Sequence, residues 1–191
     1  MIDLLNDPSL ARRDRYERVM VLDMRTSDVE EVMSLEKRCY SMPWSSSAYI
    51  TEIGNPNAQY LVAKLANGLL IGYGGVWVVM DEMHITTLAV EPAMRGRRIG
   101  ERMLIRLLQE GMKRGAVRAT LEVRQRNDVA HNLYLKYGFK DVAIRRAYYS
   151  DNGENGIIMW AEDVIAPQNR AMLRRRLREL ELQHGEAADD R

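Results

Sequence analysis

The feature that most constrains this chain is an apolar strand that runs into a basic, glycine-containing turn and then into a helix. The strand ends with Leu88-Ala89-Val90, and the apolar spacing after the turn predicts a helix over Ile99–Lys113. At the start of a helix the backbone N–H groups lack intrahelical partners, and the helix dipole favours anions. The segment therefore predicts a binding site for an anion such as a pyrophosphate. The turn consists of Arg95, Gly96, Arg97, Arg98, Ile99 and Gly100.

The two most common phosphate loops do not fit this turn. A Walker loop needs Gly-Lys followed by Ser or Thr, and the sequence does not contain that combination. A Rossmann fingerprint needs Gly-x-Gly-x-x-Gly after the first strand of a βαβ unit. Here the turn follows the fourth predicted strand, and its glycines are spaced differently. A solvated basic turn without a ligand is the alternative that stays open at this point.

Composition excludes several classes of protein. The 191 residues fit one domain, and the formal net charge of +1 argues against a surface that binds nucleic acid throughout. The single cysteine, Cys39, cannot form an internal disulfide, and no Cys/His cluster has zinc-ligand spacing, so we expect no metal. The N-terminus lacks the apolar core of a secretory signal, and no stretch reaches the ~18 apolar residues of a membrane span. We therefore expect a cytoplasmic protein without a membrane partner.

Apolar periodicity and turn residues predict elements in the order β-α-α-β-β-β-α-β-α-β-β. Hairpins come first and two βα units follow, which indicates an α/β fold with a mixed sheet and helices on both faces. The predicted strands are Val19–Met24, Tyr60–Leu65, Leu70–Met80, Met83–Val90, Ala119–Val123, Phe139–Val142 and Gly156–Ala161. The predicted helices are one capped by Ser27 or Asp28 that reaches Lys37, Ser46–Ile53, Ile99–Lys113, and one capped by Asn127 or Asp128 that reaches Tyr137.

The two ends of the chain differ in composition from its centre. We predict an N-terminal extension over residues 1–18, a folded domain over residues 19–163, and a C-terminal extension over residues 164–191. The last of these begins with an arginine-rich helix over Gln168–Gln183 and ends in a tail, His184–Arg191, that is expected to be disordered. The apolar stripe of that helix consists of Met172, Leu173, Leu177 and Leu180.

Short motifs along the centre of the chain resemble those of one known superfamily. They are Pro43-Trp44-Ser45, Leu88-Ala89-Val90, Arg95–Gly100, Leu121-Glu122-Val123-Arg124 with Asn127, Leu133-Tyr134 with Tyr137-Gly138-Phe139, Arg145-Arg146-Ala147-Tyr148-Tyr149, and Gly156-Ile157-Ile158-Met159. Over about residues 20–162 the chain resembles the GNAT superfamily of N-acetyltransferases. Within it, the match is to the ribosomal-protein alanine N-acetyltransferase (RimI) family. The turn alone marks only the superfamily, whereas the motifs after it are more specific.

The resemblance implies a GNAT acyl-CoA N-acyltransferase fold, whose mostly antiparallel central sheet contains one splayed parallel strand pair. It also implies acetyl-CoA as the co-substrate, held between those two strands. The cofactor-binding residues so implied are Leu88, Ala89, Val90, Arg95, Gly96, Arg97, Arg98, Ile99, Gly100, Glu101 and Asn127. Asn127 also fits a plain helix cap. One position departs from the usual loop, since Arg98 stands where a glycine is common, and a positive φ there would cost ~1 kcal/mol or more.

Transfer of an acetyl group to an amine requires one proton to leave the amine and one to reach the departing thiolate. An α-amine with a pKa of about 7.7–8.0 is about 10–15% deprotonated at pH 7, whereas a lysine near 10.4 is only about 0.04% deprotonated. The difference is about 3 kcal/mol, so an enzyme for α-amines can use a modest base. The resemblance favours Glu122 as that base and Tyr134 as the acid. A solvent-facing carboxylate and a core aromatic remain the alternatives.

The same resemblance implies that Pro43, Trp44 and Tyr148, with Tyr149, line the acceptor channel, although a packing role fits them nearly as well. The resulting hypothesis is an enzyme that acetylates the N-terminal α-amine of a protein, with a ribosomal protein as the expected acceptor. We expect a monomer or a weak homodimer that does not bind nucleic acid directly. Two alternatives stay open: a lysine or small-amine acetyltransferase, and a non-catalytic ribosome- or RNA-binding module, which the arginine-rich helix suggests.

Overall fold

The computed structural model describes residues 18–185, which form one seven-stranded sheet with helices on both faces. Residues 1–17 of the predicted N-terminal extension and residues 186–191 of the predicted tail lie outside the described residues. The predicted order of elements is confirmed, and the arginine-rich helix follows as the last element. The boundaries between the domain and its two extensions stay a prediction.

The helices and strands are numbered in chain order. The strands are β1 Met20–Asp23, β2 Ala58–Lys64, β3 Leu70–Val79, β4 Glu82–Val90, β5 Arg118–Arg124, β6 Lys140–Tyr149 and β7 Glu154–Ala161. The helices are α1 Val29–Cys39, α2 Ser46–Ile53, α3 Ile99–Lys113, α4 Asp128–Lys136 and α5 Pro167–Gly185. None of the helices in the described part of the chain combines the length and the apolar character that crossing a membrane requires.

The sheet has the strand order β1-β2-β3-β4-β5-β7-β6, and only β4 and β5 are parallel neighbours. Beyond His84, β4 stays paired with β3 up to Val90, and β5 stays paired with β7 up to Arg124, so β4 and β5 diverge into an open wedge. This geometry confirms the expected splayed parallel pair. The paired residues at its base are Glu82 with Arg118, Met83 with Ala119, and His84 with Thr120.

Strand β2 shows why the sheet carries helices on both faces. Successive residues of a strand point to opposite faces. Tyr60 and Val62 belong to the core that contains α1 and α2, whereas Leu61 and Ala63 belong to the core that contains α3. All four residues are at most 3% exposed. A strand that is buried on both sides needs cover on both sides, and the helices provide it.

The arginine-rich helix α5 packs on the same side of the sheet as α3. Leu173, Leu177 and Leu180 are 3%, 8% and 0% exposed, and they belong to the core that α3 also fills. Their spacing places them on one side of the helix. The apolar stripe that the sequence predicts is therefore a packing face, and Met172 lies partly buried beside it.

Strand β6 is longer than the sequence predicts. The predicted strand ends at Val142, whereas β6 continues to Tyr149. β6 lies at the edge of the sheet, most of its side chains are exposed, and two register shifts interrupt its pairing with β7. An exposed edge strand lacks the alternation of apolar and polar residues on which the prediction relied. The prediction was therefore wrong about the length of this strand.

Candidate active site

A cavity of about 630 Å³ opens in the wedge between β4 and β5. Both strands contribute to its walls, together with the start of α4, the loop between α1 and α2, and the end of β6. The structure therefore brings the two candidate catalytic side chains and the three candidate acceptor-binding residues to one place. The predicted site residues that line the cavity are Pro43, Trp44, Leu88, Glu122, Asn127, Tyr134 and Tyr148.

Glu122 lies on β5, and its side chain is 13% exposed. His84 Nε2 donates a hydrogen bond to Glu122 Oε2 over 2.7 Å, and Arg145 Nη1 lies 3.4 Å from Glu122 Oε1. The hydrogen bond from His84 lowers the pKa of Glu122 against the opposing effect of burial, and the charges of His84 and Arg145 lower it further. Glu122 is therefore an ionised carboxylate at neutral pH.

His84 is the functional candidate that sequence reasoning missed. It is distant from Glu122 in the chain, and the parallel register, which places His84 opposite Thr120, brings the two side chains together. Thr120 and Glu122 share one face of β5 because they are two residues apart. A histidine between the apolar residues Met83 and Ile85 was the available signal, but its partner depends on the register. The side chain of His84 is 37% exposed, so it links the carboxylate to solvent.

Tyr134 lies on α4 and is 8% exposed. Its ring packs against Phe139, with 5.8 Å between the ring centroids. Burial raises the pKa of Tyr134 above its usual value, and the neighbouring Tyr40 and Tyr149 raise it further. The phenol is therefore protonated at any physiological pH. A protonated phenol at a cavity wall can donate a hydrogen bond, and it faces the same cavity as Glu122.

The basic turn has the backbone that an anion site needs. Gly96 has a φ of +79° and Arg98 has a φ of +59°, so both residues are left-handed. Ile99 is 2% exposed and anchors the first turn of α3 in the core. Arg98 at the N-cap forms no side-chain hydrogen bond to the helix. The first N–H groups of α3 therefore keep their capacity to bind an anion.

The left-handed backbone at Arg98 leads to a prediction about stability. A non-glycine residue in this region is strained by about 1 kcal/mol or more, and the side chain of Arg98 is exposed. We expect Arg98→Gly to raise the Tm by about 2–4 °C. Thermal unfolding of both forms without ligand would measure the shift. Arg97→Gly is the control, because Arg97 does not have a positive φ and should gain nothing. A lower Tm for Arg98→Gly would contradict the argument.

Two carbonyl groups near the end of β4, where the strand has separated from β5, accept hydrogen bonds from side chains. Tyr40 Oη donates to the carbonyl oxygen of Leu88 over 3.1 Å, and Arg95 Nε donates to that of Val90 over 3.2 Å. Ala89 is 6% exposed and belongs to the core that α1 and α2 cover. Backbone groups on an unpaired strand edge are suited to an extended polar ligand. We therefore expect the backbone of this segment to contact the acetyl and pantetheine parts of acetyl-CoA.

Two predicted cofactor-binding residues use their side chains within the protein. Glu101 is 7% exposed and accepts hydrogen bonds from Tyr137 and Arg176, so its backbone N–H is the group that remains for a diphosphate. Asn127 accepts a hydrogen bond from the N–H of Ala130 over 3.2 Å and thereby caps α4. Asn127 also lines the cavity, so the two interpretations of this residue are compatible.

Two loops meet at the rim of the cavity. Ser41 Oγ donates a short hydrogen bond to Asp151, and Ser150 Oγ lies 3.3 Å from the sulfur of Met42. Asp151 also accepts from Arg124 over 2.9 Å, so its charge is paired. The loop that carries Pro43 and Trp44 is thus joined to the end of β6, which carries Tyr148. Sequence reasoning did not predict this contact, because the two loops are distant in the chain.

Comparison with known proteins identifies a matching family and several similar enzymes. The sequence model described as "Acetyltransferase (GNAT) family" matches residues 29–139. The putative ribosomal protein bS18 alanine N-acetyltransferase of Bacillus subtilis is 39% identical over 141 residues, which cover 73% of this chain and 93% of that protein. The N-alpha-acetyltransferase RimI of Mycobacterium tuberculosis is 34% identical over 149 residues, which cover 75% of this chain and 92% of that protein.

Solved structures show the same similarity. The ribosomal-protein-S18-alanine N-acetyltransferase of Escherichia coli superposes with a TM-score of 0.70 at 29% identity, and the match covers 79% of this chain and 97% of that one. The NatC complex bound to Gag peptide and CoA superposes with a TM-score of 0.69 at 18% identity, which shows a shared fold. That match covers 76% of this chain and 97% of the matched chain.

Proposed function

Because this chain belongs to the acetyltransferase (GNAT) family and is an acetyl-CoA-dependent N-acetyltransferase, we propose that it acetylates the N-terminal α-amine of a ribosomal protein. The observation that carries the proposal is the position of Glu122 and Tyr134 at one cavity between the splayed strands. The names of the similar bacterial enzymes, which act on ribosomal protein bS18, support this acceptor class. We expect the enzyme to act in the cytoplasm as a monomer or weak homodimer.

The residues present fit acetyl-CoA, which supplies an acetyl thioester when it is bound. The first N–H groups of α3 and the left-handed Gly96 and Arg98 form the part that would hold the diphosphate. The backbone of Leu88, Ala89 and Val90 would bind the extended arm, and this edge of β4 leads from the turn to Glu122 and Tyr134. The turn follows the end of β4, whereas Glu122 contacts His84 near the start of that strand.

Glu122 is proposed as the base. Its pKa lies below the usual value, so it cannot easily remove a proton from a free α-ammonium group with a pKa of about 8. Once the amine nitrogen bonds to the acetyl carbon, however, its protons become strongly acidic, and a carboxylate can then accept one. Glu122 therefore accepts the proton as the C–N bond forms. The hydrogen bond to the partly exposed His84 provides a route for that proton to solvent.

Tyr134 is proposed as the acid. The departing sulfur develops negative charge, and a hydrogen bond from a protonated phenol stabilises it. Because burial raises the pKa of Tyr134, the proton is held by the phenol until the charge on sulfur is nearly complete. The stabilisation acts mainly through hydrogen bonding, with proton transfer late in the step.

The acceptor end of the cavity is suited to a chain terminus. Trp44 packs against Tyr49, with 5.5 Å between ring centroids, and Tyr148 packs against Tyr149 at 5.0 Å. These aromatic walls are held by the contact between Ser41 and Asp151 at the rim. An extended N-terminal residue can enter between such walls. The charged groups at the rim are paired with each other.

A pair of peptides tests the acceptor class directly. One carries a free N-terminus and no lysine, and its twin has a blocked N-terminus and one lysine. We expect acetylation of the α-amine at least tenfold faster than of the lysine, because the lysine costs about 3 kcal/mol more to deprotonate. Mass spectrometry after incubation with acetyl-CoA identifies the modified nitrogen. Faster modification of the lysine twin would support the lysine alternative, and transfer to neither would contradict the proposal.

A further inference from the structure

The first turn of α3 contains a carboxylate at a place where the proposed ligand is an anion. Glu101 follows directly after the turn that ends in Gly100, and it is 7% exposed. A carboxylate is favoured near a helix N-terminus by the dipole. Beside a bound diphosphate, however, the same charge would repel the ligand unless cations compensate it. The groups that compensate Glu101 therefore matter for the affinity of the neighbouring turn.

Three donors, two at the C-terminal end of α4 and one on α5, converge on one oxygen of Glu101. Tyr137 Oη donates to Glu101 Oε1 over 2.7 Å, Arg176 Nε donates to it over 2.9 Å, and Lys136 Nζ forms a short ion pair with it. Burial would raise the pKa of Glu101, but these hydrogen bonds lower it to about 2. Two cations, Lys136 and Arg176, thus surround one ionised carboxylate and compensate its charge.

Arg176 is held in place for this contact by its own helix. Its Nη1 donates to Glu179 Oε2 over 2.7 Å, one turn further along α5. A second link runs from Arg102 Nη2, next to Glu101, to Glu181 over 3.6 Å. The apolar face of α5 is buried against the same core as α3, so the position of the guanidinium is set by packing as well as by charge.

The helix that supplies Arg176 lies outside the residues that define the family. The acetyltransferase family match ends at residue 139, whereas α5 spans Pro167–Gly185. The contact between Arg176 and Glu101 is therefore made by the C-terminal segment of this chain to a residue inside the family region. It joins that segment to the first turn of the helix that is expected to hold the diphosphate.

We propose that Arg176 is a positioning residue for coenzyme A, which acts through Glu101 to hold the first turn of α3 in place and to keep it electropositive. The inference rests on the proposed role of this turn as the diphosphate site. Arg176 neutralises the carboxylate that would otherwise repel the ligand, and it ties the turn to α5. The C-terminal helix thereby belongs to the cofactor-binding machinery, although no described residue of it lines the cavity that holds Glu122 and Tyr134.

Calorimetric titration of the full chain with coenzyme A tests this inference. Arg176→Met, which keeps an unbranched apolar stem but removes the charge and the hydrogen-bond donors, should raise the Kd about tenfold, or about 1.4 kcal/mol. The KM for acetyl-CoA should rise in parallel, while kcat and the KM for the acceptor peptide stay within about twofold. Arg176→Lys should give an intermediate Kd. Arg175→Met is the matched control, because Arg175 is exposed and pairs only loosely with Glu179, at 3.7 Å.

Combining the substitution with Glu101→Gln separates positioning from general destabilisation. If Arg176 acts through Glu101, Arg176→Met should change the Kd by less than about twofold when residue 101 is glutamine. An equal effect in both backgrounds, or a Kd of Arg176→Met within twofold of wild type, would overturn the inference. Arg176→Lys keeps the test valid if Arg176→Met does not fold. A wild-type chain that binds no coenzyme A would instead overturn the proposed function itself.

Discussion

Glu122→Gln is expected to lower kcat about a thousandfold, because an amide cannot accept the proton that the amine loses as the C–N bond forms. The substitution keeps the size of the side chain and its place in the wall of the cavity. The hydrogen bond from His84 can be kept by the amide oxygen, so the local structure should survive. The Kd of coenzyme A should stay within about twofold of wild type. Glu122 contacts His84 near the start of β4, whereas the proposed diphosphate turn follows the end of that strand.

Steady-state kinetics with an N-terminal peptide and calorimetry with coenzyme A measure the two halves of this prediction. Glu162→Gln is the matched control, because Glu162 is exposed and follows β7 away from the cavity-lining residues. A kcat for Glu122→Gln within tenfold of wild type would remove Glu122 from the mechanism.

Since the pKa of Glu122 is lowered, its ionisation should not limit the wild-type rate between pH 6 and pH 8. The rate should instead rise with deprotonation of the acceptor at about pH 7.7–8.0.

Tyr134→Phe is expected to lower kcat by about a hundredfold or more, because the departing sulfur loses its hydrogen-bond donor. The ring remains, so its packing against Phe139 and its part of the cavity wall are kept. In the described residues 18–185, no hydrogen bond of the Tyr134 hydroxyl to another residue is seen, so its removal should cost little stability. The loss should therefore appear in kcat rather than in the KM for either substrate.

The control for this substitution is Tyr73→Phe. Tyr73 is a fully buried phenol in the core that α1 and α2 cover, and it does not line the cavity. Its substitution should leave kcat within about twofold. Thermal unfolding of both variants would show whether either loses stability. If Tyr134→Phe and Tyr73→Phe had the same kcat as wild type, the hydrogen bond to sulfur would have to come from another group.

Much of the fold follows from local information. Helices α2 and α3 have the bounds that the sequence predicts, because local signals mark their ends. Ser45 caps α2 by accepting a hydrogen bond from the N–H of Ala48. The apolar residues of α3 repeat with the period of a helix and are buried along its length. The mixed sheet also follows, because hairpins give antiparallel neighbours and the βα units after them give a parallel connection.

The site could be predicted only in part. The proposed diphosphate turn is continuous in sequence, so its glycines, its arginines and the helix after it could be recognised together. Glu122 and Tyr134 could be named because they resemble family motifs, and the structure brings both to one cavity. By contrast, β6 was predicted too short, because an exposed edge strand leaves little periodic signal.

By itself, the sequence determined the order of the helices and strands, the sides on which most of them are apolar, and the turn that favours an anion. Only the tertiary structure decided that β4 and β5 pair over three residues and then diverge, that His84 meets Glu122, and that Arg176 reaches Glu101. The physical reason is separation along the chain. Caps, turns and periodicity depend on neighbours within a few residues, whereas register and charge pairing depend on how distant segments pack.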